Sequence, residues 1–201
     1  MATSVEYYED LLEGPMAELE GTVLVVRGAT TAEVAEVLGA IPPEEVPEED
    51  RDAFDPTWAT YVFVQLADGV LAYEDAGYAD PSVEALAAMS RGGRAAAVVR
   101  DNVQGHLRFG CARDGQLLFD DDEYMYADDR SGVPDEIRPL FDLAWVDLAD
   151  EGSFAADGTA VALAMAEVIT GARLTREDLD KLQDGSGTVL AVRSMAYVDG
   201  A

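Results

Sequence analysis

The chain has 201 residues, with 13 Lys and Arg against 41 Asp and Glu, for a formal net charge of −28 at pH 7. Hydrophobic residues make up 49% and charged residues 27%, a globular balance in a chain long enough to bury roughly 70% of its unfolded surface without disulfide or metal. The charge argues against direct binding to nucleic acid or an anionic membrane, and the single cysteine, Cys111, excludes an internal disulfide framework.

The N-terminus, "MATSVEYYEDLLEG", is acidic and has neither the basic region nor the apolar run of a signal peptide. No apolar stretch approaches the length of about 20 residues that a membrane helix needs. With one thiol, the expectation is a soluble protein of a reducing cytoplasm. Twelve of the thirteen basic residues are arginine and alanine is abundant, the bias of a GC-rich, actinobacteria-like genome, where acidity serves solubility.

The length fits one domain over 1–201. Residues 1–20 form an acidic N-terminal segment in which Tyr8, Leu11 and Leu12 can dock as a helical turn before "GP" breaks it. "TVLVVR" (22–27) is β-branched and almost continuously apolar, a central strand. After Gly28, Thr30 and Glu33 make a capping box for a helix with Val34, Val37, Leu38 and Ile41 on one face and Gly39 at its end. The acidic, proline-rich stretch 42–57 carries four prolines and seven acids against one arginine, and reads as a solvated loop. "TYVFVQL" (60–66) and "GVLAYED" (69–75) form a hairpin. Asp80 caps and Pro81 starts a helix that runs to Ser90, with Val83, Leu86, Ala87 and Met89 inward.

"RAAAVVRD" (94–101), "GHLRFGCAR" (105–113) and "GQLLFD" (115–120) read as an antiparallel meander with a tight turn at "RDGQ". In its middle strand His106, Arg108, Gly110 and Ala112 share one face and Leu107, Phe109 and Cys111 the other, which predicts one packed and one more polar side. Residues 134–182 are mainly helical. "PDEIRPLFDLAWVDLA" begins near Pro139, and "DGTAVALAMAEVITG" is a helix with Val161, Ala164, Met165 and Val168 in one stripe. Thr175 and Asp178 cap a third helix. "TVLAVR" (188–193) echoes "TVLVVR" (22–27), as two strands of one sheet with similar burial would. The sum is an α+β fold with an antiparallel or mixed sheet of about six strands packed by four or five helices.

Several blocks together carry a family resemblance: "TVLVVRGATTAEVAEVLGA", "GVLAYEDAGYADPSVEALAAMSRGG", "AAAVVRDNVQGHLRFGCARDGQLLFD" and "ALAMAEVITGARLTREDL". They span most of residues 22–182 and resemble an uncharacterised actinobacterial family of unknown function. The resemblance implies a fold and a genomic setting and brings no known activity.

The chemistry-bearing residues are few. His106 and Cys111 have opposite parity on one strand, so they face opposite sides of a sheet and make no nucleophile–base pair. Cys111 reads as a small buried hydrophobe. One histidine and one cysteine make no zinc site, and "DDDE" lacks the spacing of a calcium loop. "RGAT" precedes a helix but lacks the glycine-rich and lysine-bearing phosphate motifs. No catalytic residue, metal ligand or cofactor emerges.

The acids remain. Residues 44–55 and 114–129 each carry seven carboxylates, and closely spaced acids can imitate nucleic acid to a basic protein. The first expectation is therefore a non-enzymatic interaction protein, immunity-like, regulatory or a nucleic-acid mimic, whose partner is a basic protein surface. Its contact residues would be Asp120, Asp121, Asp122, Glu123, Tyr124 and Tyr126, the tyrosines supplying aromatic anchors. The alternative is a small-molecule binding or sensor domain with a pocket around His106, Arg108 and Arg100. A third reading, an enzyme using His106 with a nearby carboxylate, has no motif behind it.

Overall fold

The computed structural model describes residues 2–13, 21–51, 57–101, 106–127, 130–147 and 156–194. Asp52 and Asp55 of the first acid cluster, Asp128 and Asp129 of the second, and residues 14–20 of the acidic N-terminal segment lie outside them.

The described residues form one seven-stranded antiparallel sheet, close to the expected number of about six strands. Its strands are β1 (Gly21–Arg27), β2 (Trp58–Leu66), β3 (Gly69–Glu74), β4 (Ala95–Asp101), β5 (Leu107–Arg113), β6 (Gln116–Asp121) and β7 (Thr188–Arg193). The spatial order is β6-β5-β4-β1-β3-β2-β7, so the two hairpin systems meet on β1 and β7 returns from the end of the chain to close one edge. The β5–β6 turn holds Asp114 at φ 53° and Gly115 at φ 80°, the paired left-handed residues that a two-residue hairpin demands.

Among the described residues six α-helices cover both faces, against the expected four or five: α1 (Ala2–Leu12), α2 (Thr31–Leu38), α3 (Val83–Met89), α4 (Arg138–Ala144), α5 (Gly158–Thr170) and α6 (Arg176–Gln183). The predicted capping boxes at Thr30 and Thr175 are formed, and Gly39 closes α2 in the left-handed region. The N-terminal segment forms a full helix rather than one turn, because Val5, Tyr8 and Leu11 recur at helical spacing and all three are buried.

The even residues of β1 and β4 face α2 and α3, in a cluster with Leu24, Val26, Val34, Leu86, Met89 and Val98. The odd residues face α5, in a larger cluster that includes Val23, Val25, Phe109, Phe141, Val161 and Met165. Helix α5 lies directly on β4 and β5, with α1 and α4 packed against it. It is therefore buried almost all round from Ala160 to Ala166, not along one stripe, while the expected inward Val168 is partly exposed.

Three further expectations change. The middle strand β5 has no wet face: helices cover both sides, and every residue from Leu107 to Ala112 is buried. Helix α3 starts after Ser82, whose hydroxyl accepts from the Ala85 N–H, so Asp80 is not its cap. And β7 does not share the burial of β1 despite the matching sequence, because β1 is central and β7 is an edge. No helix among the described residues is long and apolar enough to cross a membrane.

Candidate functional site

A row of polar residues crosses the face that carries α2 and α3. The registers place Tyr61 beside Glu74, Glu74 beside Thr22, Thr22 beside Arg100 and Arg100 beside Arg108, across β2, β3, β1, β4 and β5. Each has the inward parity of otherwise apolar strands, so the chain buries a polar band where leucine or valine would continue the core.

Residues 75–82, between β3 and α3, fold back over this row. The Ala76 N–H donates to the Glu74 carboxylate at 3.1 Å, and the Tyr61 hydroxyl donates to the Ala79 carbonyl at 2.7 Å. Arg108 donates from Nη1 to the Pro81 carbonyl at 2.8 Å. Asp80, turned inward, accepts from Arg100 Nη1 at 2.8 Å. Its Oδ1 meets Arg108 Nη1 at 2.5 Å, an ion contact without the alignment of a hydrogen bond. The side chains of Arg108 and Asp80 are only 5% and 1% exposed.

Strand β6 supplies the outer carboxylates. Asp120 accepts from Arg108 Nε at 2.8 Å and lies 2.7 Å from its Nη2. Asp122, 74% exposed, contacts Arg100 Nη2 at 3.3 Å and Arg108 Nε at 3.8 Å. Asp120 reaches across β5 only because its register partner is Gly110: a Cβ there would strike Asp120 Oδ1 and press on Leu86 and Val98.

These groups wall a cavity of about 420 Å³, a volume in the range of metabolite sites. Tyr61, Asp80, Arg100, Arg108, Asp120 and Asp122 form its polar side, and Val37, Leu38, Val83 and Val192 its apolar side. A second hollow of about 470 Å³ near α6 has exposed, locally paired charges such as Arg27 with Asp68 and Lys181 with Glu177. It holds no buried ion pair of the first kind.

Burial sets the electrostatics. It pushes the Glu74 carboxyl up from 4.5 to about 7, against the pull of backbone N–H groups. Tyr61 is raised well above its ordinary value, by burial first and then by the charges of Asp80 and Glu74. Burial also raises Asp120, with Arg108 opposing it. For Arg108 burial works against the cation, but Asp80 and Asp120 outweigh it and the pKa rises.

The expected site residues divide. Arg100 and Arg108 meet in the cavity, together with Asp120 and Asp122 from the acidic run. His106 does not line it: its Nδ1 pairs with Glu123 at 2.5 Å, and both side chains are about half exposed. Asp121 accepts from the Glu123 N–H and shapes the turn. Tyr124, expected as a surface anchor, is fully buried between Phe109 and Phe141, and its hydroxyl donates to the Gly158 carbonyl. Tyr126 is 45% exposed. Cys111 is buried, and burial pushes its thiol up to about 12, so it is no nucleophile. Among the described residues no three His, Cys, Asp or Glu side chains are arranged to hold a metal ion.

Sequence reasoning missed Asp80, Tyr61, Glu74 and Gly110. The signal for two of them was a polar side chain at inward parity, as in Glu74 after Val70 and Ala72, but its meaning depends on the strand register. Asp80 has no such signal, since Asp-Pro before a helix reads as a cap.

No curated protein and no solved structure matches the chain. A family model matches residues 3–189, nearly the whole length. The chain belongs to the family of unknown function DUF6461.

Proposed function

We propose that the chain is a small-molecule binding or sensor domain whose site is the cavity between the sheet, residues 75–82 and helices α2 and α3. The observation that supports this is the burial of Arg108 and Asp80 in the wall of an open hollow. Burying an ion pair costs several kcal/mol per ion in desolvation, and apolar residues of the same volume often serve folding as well or better. A charged band kept beside an empty volume is therefore read as serving a ligand. The centre moves from His106, which sits outside, to Arg100 and Arg108.

The reading as an acidic face for a basic partner has less support. Two of its four acids, Asp120 and Asp122, are turned toward arginines of the same chain, and Glu123 toward His106. One of its two aromatic anchors, Tyr124, is core.

The test is amide chemical-shift mapping of the full chain against a metabolite collection spanning anions, cations, zwitterions and neutral polyols. Some class is expected to shift the amides of Ala79, Ser82, Arg100 and Arg108 together in a saturable way. If no class moves them, the binding reading fails.

A further inference from the structure

We infer that the cavity selects an organic cation, an ammonium group carried on a compact apolar body. The inference rests on the binding reading above and names the class of ligand for that site.

Most of the charges in the wall are already answered within the chain. Arg108 spends Nε and Nη2 on Asp120 and Nη1 on the Pro81 carbonyl and Asp80. Arg100 presents Nη1 to Asp80 and Nη2 to Asp122. The third guanidinium in the lining, Arg193, stands over the Trp58 ring, 5.5 Å from its centroid. An anion that binds Arg100 or Arg108 must evict a carboxylate of this chain; among the lining guanidinium groups only Arg193, stacked on Trp58, has no carboxylate partner among the described residues. For Asp80 or Asp120 eviction strands a buried charge, the costly way to break such a pair.

A cation meets no such obstacle. Asp122 is 74% exposed, and both of its ion contacts use Oδ1. Among the described residues Oδ2 has no partner, so it can accept a charge-assisted hydrogen bond from an ammonium with nothing displaced. The lining also includes Val37, Leu38, Val83 and Val192, surface suited to an apolar body. The lining is neutral by itself, three carboxylates against three guanidinium groups. The rest of the molecule carries the net charge of −28, which favours the approach of cations over that of anions.

Three probes with the same aromatic body test this: phenethylamine, phenethyl alcohol and phenylpropionate, each titrated into the full chain while cavity amides are followed by NMR. The amine is expected to bind with cavity shifts, the alcohol about tenfold more weakly and the carboxylate weakest. Asp122→Asn, a surface change that leaves the fold intact, is expected to weaken the amine about tenfold and leave the alcohol unchanged. Tightest binding by phenylpropionate overturns the cation inference while leaving the cavity a binding site. Equal binding of amine and alcohol, or an amine affinity indifferent to Asp122→Asn, overturns it as well. Failure of all three probes to shift the cavity amides also overturns it, and the wider metabolite collection then decides the binding reading on its own.

Discussion

The two faces of the sheet are built from the same strands on opposite principles. Under α5 the core-facing odd residues of β1, β4 and β5 are valine, alanine, leucine, phenylalanine and cysteine, packed against a helix that is itself apolar almost all round. Under α2 and α3 the even residues begin the same way, with Leu24, Val26, Ala96 and Val98, and then give way to Thr22, Glu74, Arg100 and Arg108 near one end. The first face stabilises the fold. The second spends part of its burial on charge, which contributes little to stability when fully paired. On the proposed reading, a single chain separates folding from site-making by strand parity.

The comparison breaks most visibly where one charge is removed from the second face. Asp80→Ala leaves Arg100 and Arg108 facing each other without their shared buried carboxylate, and it should destabilise by about 3–5 kcal/mol in urea titration. A loss under about 1 kcal/mol would mean that water reaches the pair freely.

Glu74 gives the next effect, and it depends on pH. Its folded pKa of about 7 lies above the ordinary 4.5, so the stability linked to its proton is fully present below about 4.5 and lost as pH rises through about 7. The difference in stability between Glu74→Gln and the wild-type chain should grow in favour of the variant across that window. It should level off above neutrality at about 3 kcal/mol. A difference independent of pH would show that Glu74 titrates in the folded chain as it does in the unfolded one.

Gly110→Ala probes the geometry that brings β6 to Arg108. The new methyl collides with Asp120 Oδ1 and crowds Leu86 and Val98, so a loss of about 1–3 kcal/mol is expected, together with displaced Asp120 resonances. Unchanged stability would mean that Asp120 reaches Arg108 by another path. On the opposite face, Tyr124→Phe removes only the bond to the Gly158 carbonyl while keeping the ring packing, and about 1 kcal/mol should be lost with no effect on cavity ligands.

Most of the fold is written in local pattern. The strands "TVLVVR" and "AAAVVRD", the capping boxes at Thr30 and Thr175 and the left-handed Gly39 and Gly171 all follow from residues within a few positions of one another. The site follows from pairings that are not local. Asp80 to Arg108, Arg108 to Asp120 and Glu74 to Thr22 join residues brought together by sheet order and by the fold-back of residues 75–82. The acidic run shows the limit clearly. As letters, "DDDEY" is a continuous charged stretch with an aromatic. In the fold its residues separate into two cavity carboxylates, a turn former, a partner for His106 and a core tyrosine.

The central claim is that the charges on the α2 and α3 face are kept for a ligand and not for the fold. It is tested by replacing the buried set at once, Asp80→Leu, Arg100→Met, Arg108→Met and Asp120→Leu, and measuring unfolding free energy by urea titration. The account predicts a folded protein within about 2 kcal/mol of the wild-type chain, or more stable than it. A loss of about 5 kcal/mol or more would show that the ion network holds the fold together, and would contradict the claim.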